Sequence, residues 1–238
     1  IGLRFSATQS VAAAAAAETL RNTSIDTINS VWFASHPSLA GQLRSMSLPV
    51  SSPQLSSGPS APYIWVIAPG RLTCVNVTSP LVPALAGSVV DLTALQGASS
   101  LALQGGRAFI ACAPGRVTVV AIDDPAGPRV LGTLHDPTRL AGASSVVVSG
   151  LFVYVAATNT SGVVVVDVSV AWRPQVAAEV TNSTQLNGPT TLVASGNTIF
   201  VANGDGSLTL LDVSIPTAPL VADHSPPPLN ATAASVWA

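Results

Sequence analysis

The chain has 238 residues, 48% of them hydrophobic and only 8% charged, with a formal net charge of −2. Hydrophobic content this high excludes charge-driven disorder, and nine Arg with no Lys against eleven acids leave no basic excess for a phosphate backbone, which excludes nucleic acid as a partner. About a quarter of an ordinary globular chain is charged, so the surface must be dressed by Ser, Thr, Asn and Pro, or by something covalent.

The chain opens at Ile1 without a Met and stops at Ala238 inside a predicted strand, so a processed product or an excised piece is expected. The run Ala12–Ala17 resembles a signal-peptide core but lacks a basic n-region of its own and is closed by Glu18, and it reads as a small-residue insert. Residues 1–50 are expected to be a degenerate first repeat that holds this insert. Within it, SVWFASHPSLAGQLRSMSLP (30–49) aligns with IFVANGDGSLTLLDVSIP (199–216) through a shared S-x-P ending.

From residue 51 a fixed period appears. The segments LTCVNVTSPLVP, VTVVAIDDPAGP, VVVVDVSVAWRP and LTLLDVSIPTAP close on Pro83, Pro128, Pro174 and Pro219, at separations of 45, 46 and 45. The same offset brings Gly105, Gly150 and Gly196 into register and stacks YIWVIA (63–68), AFIACA (108–113), FVYVAA (152–157) and IFVAN (199–203). Each unit reads as four short apolar strands, the last following the closing proline, as in QVAAEVT. Gly-Gly or Gly-Asn turns join the first two, and TNTSG (158–162) and NGDGS (203–207) form the next hairpin tips. Four antiparallel strands per roughly 40–50 residues is the spacing of a β-propeller blade. On that reading the middle strands are buried on both faces, so Val, Ile and Leu lose the in/out alternation of a half-exposed sheet.

Inner strands are predicted near 51–57, 99–104, 144–149 and 190–195, and AASVWA (233–238) is a fifth that would close onto the segment starting at Ile1. The expected fold is therefore an all-β propeller of four-stranded blades, with five blades closed by the C-terminal strand. The whole chain, 1–238, forms one propeller domain, of which 51–238 supply four regular repeats plus the closing strand. A ring of six or seven blades lying partly outside this chain is the alternative. No stretch reaches the 18 or more apolar residues of a membrane helix, since VVVV at 163–166 is closed by Asp167.

The motif V-D-V-S-x-P-x-x-P, as in LDVSIPTAP at 211–219, resembles the LVIVD-repeat family of secreted or surface β-propellers over residues 51–238. The resemblance implies a fold and brings no shared chemistry with it. The aspartate position is Asp167 and Asp212 in two units but Asn76 and Ala121 in the others. That variation argues for hydrogen bonding to the following turn and against a catalytic or metal role.

Five sequons, at Asn22, Asn76, Asn159, Asn182 and Asn230, together with the low charge, point to secretion and N-glycosylation. Asn159, at a hairpin tip, is expected to be modified first, and Asn76, inside a predicted strand, is the least certain. The run SPPP (225–228) resembles the hydroxyproline-glycosylated Ser-Pro-Pro-Pro units of plant and green-algal wall glycoproteins, which would make Pro226, Pro227 and Pro228 O-glycosylation candidates. The alternative is a stiff polyproline linker.

Other chemistry is sparse. His36, His135 and His224 fall in different units without metal-ligand spacing, His135 and His224, at comparable ends of outer strands, read as solvated turn residues, and no metal or cofactor is expected. There is no G-x-S-x-G, no P-loop and no G-x-G-x-x-G after a strand. Asn203-Gly-Asp205-Gly reads as turn formation, for want of the further carboxylates that calcium needs. Cys74 and Cys112 lie in neighbouring units at non-equivalent positions and are candidates for a disulfide in an oxidising compartment, or else two small buried thiols. Trp32, Trp65, Trp172 and Trp237 read as packing rather than a sugar platform.

These features lead to an expected function. The chain reads as a non-enzymatic, extracellular or cell-surface structural or adhesion module, one glycosylated unit of a cell-surface, wall or appendage assembly built by contacts with other extracellular proteins. The alternative is a propeller enzyme or a lectin-like domain with its site at the mouth of the central channel.

Overall fold

The computed structural model describes residues 54–55, 63–79 and 81–226. Pro49–Ala238 form one compact unit and Ile1–Leu48 another, and every described residue belongs to the former. The expected first repeat with its poly-Ala insert, Asn22, Trp32, His36, Pro227, Pro228, Asn230 and the closing strand with Trp237 lie outside the described residues.

The described chain is all-β: four antiparallel sheets of four strands, each formed by strands consecutive in sequence. The first sheet is β1 (Gln54–Leu55), β2 (Tyr63–Ala68), β3 (Arg71–Asn76) and β4 (Ala84–Val90). The second comprises β5 (Ala98–Gln104), β6 (Arg107–Cys112), β7 (Arg116–Ala121) and β8 (Arg129–His135). The third is β9 (Ala143–Ser149), β10 (Phe152–Ala157), β11 (Gly162–Asp167) and β12 (Gln175–Thr181). The fourth is β13 (Pro189–Ser195), β14 (Thr198–Asn203), β15 (Leu208–Asp212) and β16 (Leu220–Ser225). The described residues thus give four blades, and a fifth is not among them.

The sequence landmarks have local causes. Pro83, Pro128, Pro174 and Pro219 each stand immediately before a fourth strand, where the missing N–H costs no ladder bond and the fixed φ starts an extended segment. Gly105, Gly150 and Gly196 open the hairpin turns between first and second strands with φ of 56°, 61° and 57°, a left-handed conformation that side chains with a Cβ resist. The third-to-fourth-strand turn begins where a side-chain oxygen accepts a backbone N–H two residues on. Asn76 takes Thr78 N at 2.8 Å, Asp167 takes Ser169 N at 2.8 Å and Asp212 takes Ser214 N at 2.9 Å. The variable aspartate position is a turn-former, and in the second sheet, where Ala121 holds the place, Asp124 caps its own turn through Ala126 N at 3.0 Å.

Sheets meet face to face through three apolar cores. Trp65, Ile67 and Leu72 pack on Ala108, Ile110 and Val120; Phe109, Val117 and Val119 on Val153, Val155 and Val164; Tyr154, Val163 and Val165 on Ile199, Val201 and Leu211. Each seven-residue connection, 91–97, 136–142 and 182–188, drives one fully buried leucine (Leu95, Leu140, Leu186) into these cores. The connection begins with an Asx cap: Asp91 Oδ1 accepts Thr93 N and Ala94 N, Asp136 Oδ1 accepts Thr138 N and Arg139 N, and Asn182 Oδ1 accepts Thr184 N and Gln185 N. The backbone N–H of each leucine returns to the carbonyl of the capping residue at 2.7–3.0 Å.

Candidate functional site

Strand register sorts the loops to two ends of the sheets. In the third sheet Phe152 pairs with Ser149 and Asp167, and Asp167 with Gln175, so the 150–151 and 168–174 turns share one end. The seven-residue connections and the 158–161 and 203–207 tips share the other.

The turn end exposes apolar side chains in the first, third and fourth sheets, beside Asp123 and Asp124 of the second. Leu81, Val82, Leu151, Val170, Trp172 and Ile215 are exposed there. Trp172 is 75% accessible whereas Trp65 is 2%, so the packing role expected of the tryptophans holds for Trp65 and is corrected for Trp172. The reason is positional: Trp65 points into the core between the first two sheets, while Trp172 rides the third-to-fourth-strand turn. A Cβ on Gly132 would come within 2.6–2.8 Å of the Ala171 and Trp172 backbone, and one on Gly87 within 2.4–2.6 Å of the Pro125 and Ala126 carbonyls. The absence of a side chain at these two positions lets each turn seat on the fourth strand of the preceding sheet.

The connection end carries charged and amide groups beside the exposed Val90 and Leu92. Arg139 bridges Asp136 at 3.2 Å and Glu179 at 3.0 Å, and the Arg139 backbone N–H, the largest influence on Asp136, helps hold that carboxyl below its usual range. Asp205 Oδ1 accepts Ser207 N and Oγ at 2.9 and 2.7 Å, and its Oδ2 accepts Asn187 Nδ2 at 3.2 Å. Burial opposes ionisation of Asp205 most strongly of any single influence, yet these hydrogen bonds together outweigh it and its pKa is lowered. Both oxygens are committed to the protein, so the Asn203-Gly-Asp205-Gly segment makes a turn. Beside it, Asn203 is fully buried, with Nδ2 within reach of Gln185 O, Ser207 Oγ and Thr209 Oγ1 at 2.9–3.1 Å.

The remaining candidates are dispersed. Asn159 is exposed at the tip, as the hairpin spacing implied. Asn76 ends β3, where its Oδ1 also accepts the Thr78 hydroxyl at 2.6 Å. Asn182 is the third capping residue, and its Nδ2 donates to Gln185 Oε1 at 2.7 Å. Pro226 is exposed just beyond β16. The two described histidines lie at the ends of fourth strands, where the sequence placed them: His135 is exposed, and His224 is half-buried with Nδ1 3.1 Å from Thr209 Oγ1. Among the described residues no three His, Cys, Asp or Glu side chains gather as a metal site.

Cys74 and Cys112 share the core between the first two sheets but are free thiols, which corrects the candidate disulfide. Cys74 sits in β3 opposite Trp65 and Gly87, whereas Cys112 closes β6 opposite Arg116 and directs its Sγ to Ala94 O at 3.6 Å. Burial pushes both thiols up to about 11, which suppresses the reactive thiolate.

The first strands of the last three sheets, ASSLALQ, ASSVVVS and PTTLVAS, carry no ionisable side chain. They carry instead a pair of hydroxyl residues at 99–100, 144–145 and 190–191, a repeat that the sequence reading passed over. Ser99 Oγ donates to Ala143 O at 2.7 Å and Ser100 Oγ accepts Val146 N at 3.1 Å. One sheet on, Ser144 Oγ donates to Pro189 O at 3.2 Å and Ser145 Oγ accepts Leu192 N at 3.1 Å.

Sequential four-stranded sheets in face-to-face contact define a β-propeller-like repeat protein, and the comparisons agree. The LVIVD repeat family model matches residues 142–176 and 190–223, which fall in the third and fourth sheets and their connections. Among solved structures the chain is similar to a functionally unknown protein from Desulfotomaculum acetoxidans (TM-score 0.62, 12% identity, covering 77% of this chain and 58% of that one). It is also similar to the computationally designed Ika8 protein (TM-score 0.55, 14% identity, 74% and 48% covered) and to BamB from Moraxella catarrhalis (TM-score 0.50, 14% identity, 70% and 46% covered). The chain spans about half the length of the solved structures it matches. None of the curated proteins matches it.

Proposed function

We propose that the chain is a non-enzymatic structural or adhesion module of an extracellular or cell-surface assembly. In this reading it is a glycosylated propeller of five blades, the fifth drawn from residues 1–50 and closed by the C-terminal strand, and it acts through contacts with other extracellular proteins. The observation that carries the reading is the turn end, where Leu81, Val82, Leu151, Val170, Trp172 and Ile215 stand exposed on well-anchored turns. A rigid rim with apolar tips favours recognition by shape and burial, and the few charges of the chain supply little electrostatic steering. The first strands, bearing hydroxyls already used between sheets, support a scaffold role better than a catalytic one.

Sedimentation of the protein from its own host tests this. It should run in a complex larger than the monomer, with a glycan on Asn159, and Trp172→Ser should release it. A monomer that turns over a small molecule, with Asn159 unmodified, would overturn the reading in favour of an enzyme. Trp172→Ser that abolishes binding of a free sugar while leaving the complex intact would favour the lectin-like alternative.

A further inference from the structure

Asn-Gly occurs twice in the chain, at 187–188 and 203–204, and the fold brings the two pairs together. The Gly204 N–H donates to the Asn187 and Gly188 carbonyls at 3.2 and 2.8 Å. Asparagine is a chemically unstable residue, most of all before glycine, because a backbone nitrogen with no Cβ beside it reaches the Asn Cγ and displaces ammonia. The two pairs differ in whether that attack is open. Asn203 is fully buried, its Nδ2 lies within reach of three oxygens, and its nucleophile, the Gly204 nitrogen, has its N–H committed to both carbonyls. Asn187 is exposed on the 182–188 connection. Its Nδ2 makes one exposed hydrogen bond, to Asp205 Oδ2 at 3.2 Å, and among the described residues nothing accepts the Gly188 N–H.

We propose that Asn187 is a site of spontaneous deamidation, with water as the co-reactant, and that the fold protects Asn203 from the same reaction. The Gly188 nitrogen attacks Asn187 Cγ, and the new C–N bond closes a succinimide ring. The Cγ–Nδ2 bond breaks, and the Gly188 proton leaves with the amide nitrogen as ammonia. Water then opens either carbonyl of the ring, which yields aspartate or isoaspartate at position 187, with no oxidation or reduction. Both products act on the same contact. The new carboxylate replaces the donor to Asp205 Oδ2 and sets two anions against each other. Isoaspartate also routes the main chain through Cβ and Cγ, lengthening it between the two residues whose carbonyls hold Gly204. The tie between the 203–207 tip and the entry to β13 at Pro189 is thereby loosened, slowly and irreversibly.

Peptide mapping by mass spectrometry tests this on the unaltered full chain, aged in warm, mildly alkaline buffer and labelled with an isoaspartate-specific methyltransferase. Position 187 should convert at least about tenfold faster than position 203, which reacts only from locally opened molecules. In denaturant the two should convert at similar rates. Amide exchange of Gly204 should quicken in the aged protein. Asn187→Gln, whose longer side chain keeps the amide but cyclises far more slowly, should hold Gly204 exchange at its starting rate through the same ageing; Asn187→Ser makes the same comparison should Asn187→Gln not fold. Conversion at 203 as fast as at 187 in the folded protein would overturn the proposal. So would an intact position 187 under conditions in which the denatured chain converts, and Gly204 exchange that quickens equally in the variant would overturn its effect on the joint.

Discussion

The middle strands of the second and third sheets differ from those of the first and fourth in burial but hardly in composition. RVTVVA in β7 and GVVVVD in β11 are buried at five of six positions, whereas RLTCVN in β3 and LTLLD in β15 alternate buried and half-buried residues. The second and third sheets pack on a described neighbour on each face, through two of the three cores; the first and fourth contribute to one core each. Burial is therefore a property of the joint between sheets, and an apolar residue acquires its energetic weight from the neighbour that covers it.

The largest effect should come from the covered face. Ile110, fully buried in the second sheet, should lose ~2–5 kcal/mol on substitution by Ala. Leu210→Ala, at a half-buried position of β15, should cost less than half as much in chemical denaturation. Equal losses would break the distinction between the two kinds of sheet.

The next effect probes the seat between sheets. Gly132→Ala would place its Cβ 2.6 Å from the Ala171 carbonyl, and forcing the third sheet's turn off its seat should cost ~1–3 kcal/mol. Ala178 occupies the corresponding fourth position of β12, so Ala178→Gly should be milder than Gly132→Ala. Thermal unfolding of the two variants decides it, and the reverse order would place the critical seat between the third and fourth sheets.

The smallest effect concerns the caps. Asn182→Ala should cost ~1 kcal/mol, the value of a lost side-chain cap, while Asn182→Asp should be tolerated at neutral pH because Asp91 and Asp136 do the same work. Asp136 has a lowered pKa in the folded state, chiefly through the Arg139 backbone N–H. Its contribution is therefore present above the unfolded value of about 3.9 and is lost as pH falls through the lower folded value. Asn182→Asp should add a second loss in that acid range, and an acid-unfolding curve superimposable on that of the unaltered protein would refute it.

The backbone plan was legible because it rests on residues whose chemistry is local. Proline before each fourth strand and glycine after the first strands of the last three sheets act through φ, so their spacing carried the blade directly. The joints were not legible, since they rely on small residues with several uses. Ser99–Ser100 and Ser144–Ser145 look like ordinary polar positions until the next strand supplies a carbonyl and an amide. Asn182 illustrates the point from the other side: its sequon drew attention, while the D/N-x-T-x-L pattern it shares with Asp91 and Asp136 went unread. The exposure of Trp172 likewise depends on the turn that carries it, which the residue type alone does not reveal.

The hydroxyl pairs also give the molecule a direction. The second sheet holds the third, and the third holds the fourth, with hydroxyl side chains that meet backbone groups, so these two joints are head-to-tail and unlike on their two sides. Contacts of that kind do not satisfy themselves in pairs, as two-fold interfaces do, and they stop only when accumulated rotation brings the last member back to the first or when a different surface intervenes. How many sheets the protein can hold is therefore set by the angle at each joint, and small changes at residues such as Ser100 or Gly132 act on the count as well as on the stability.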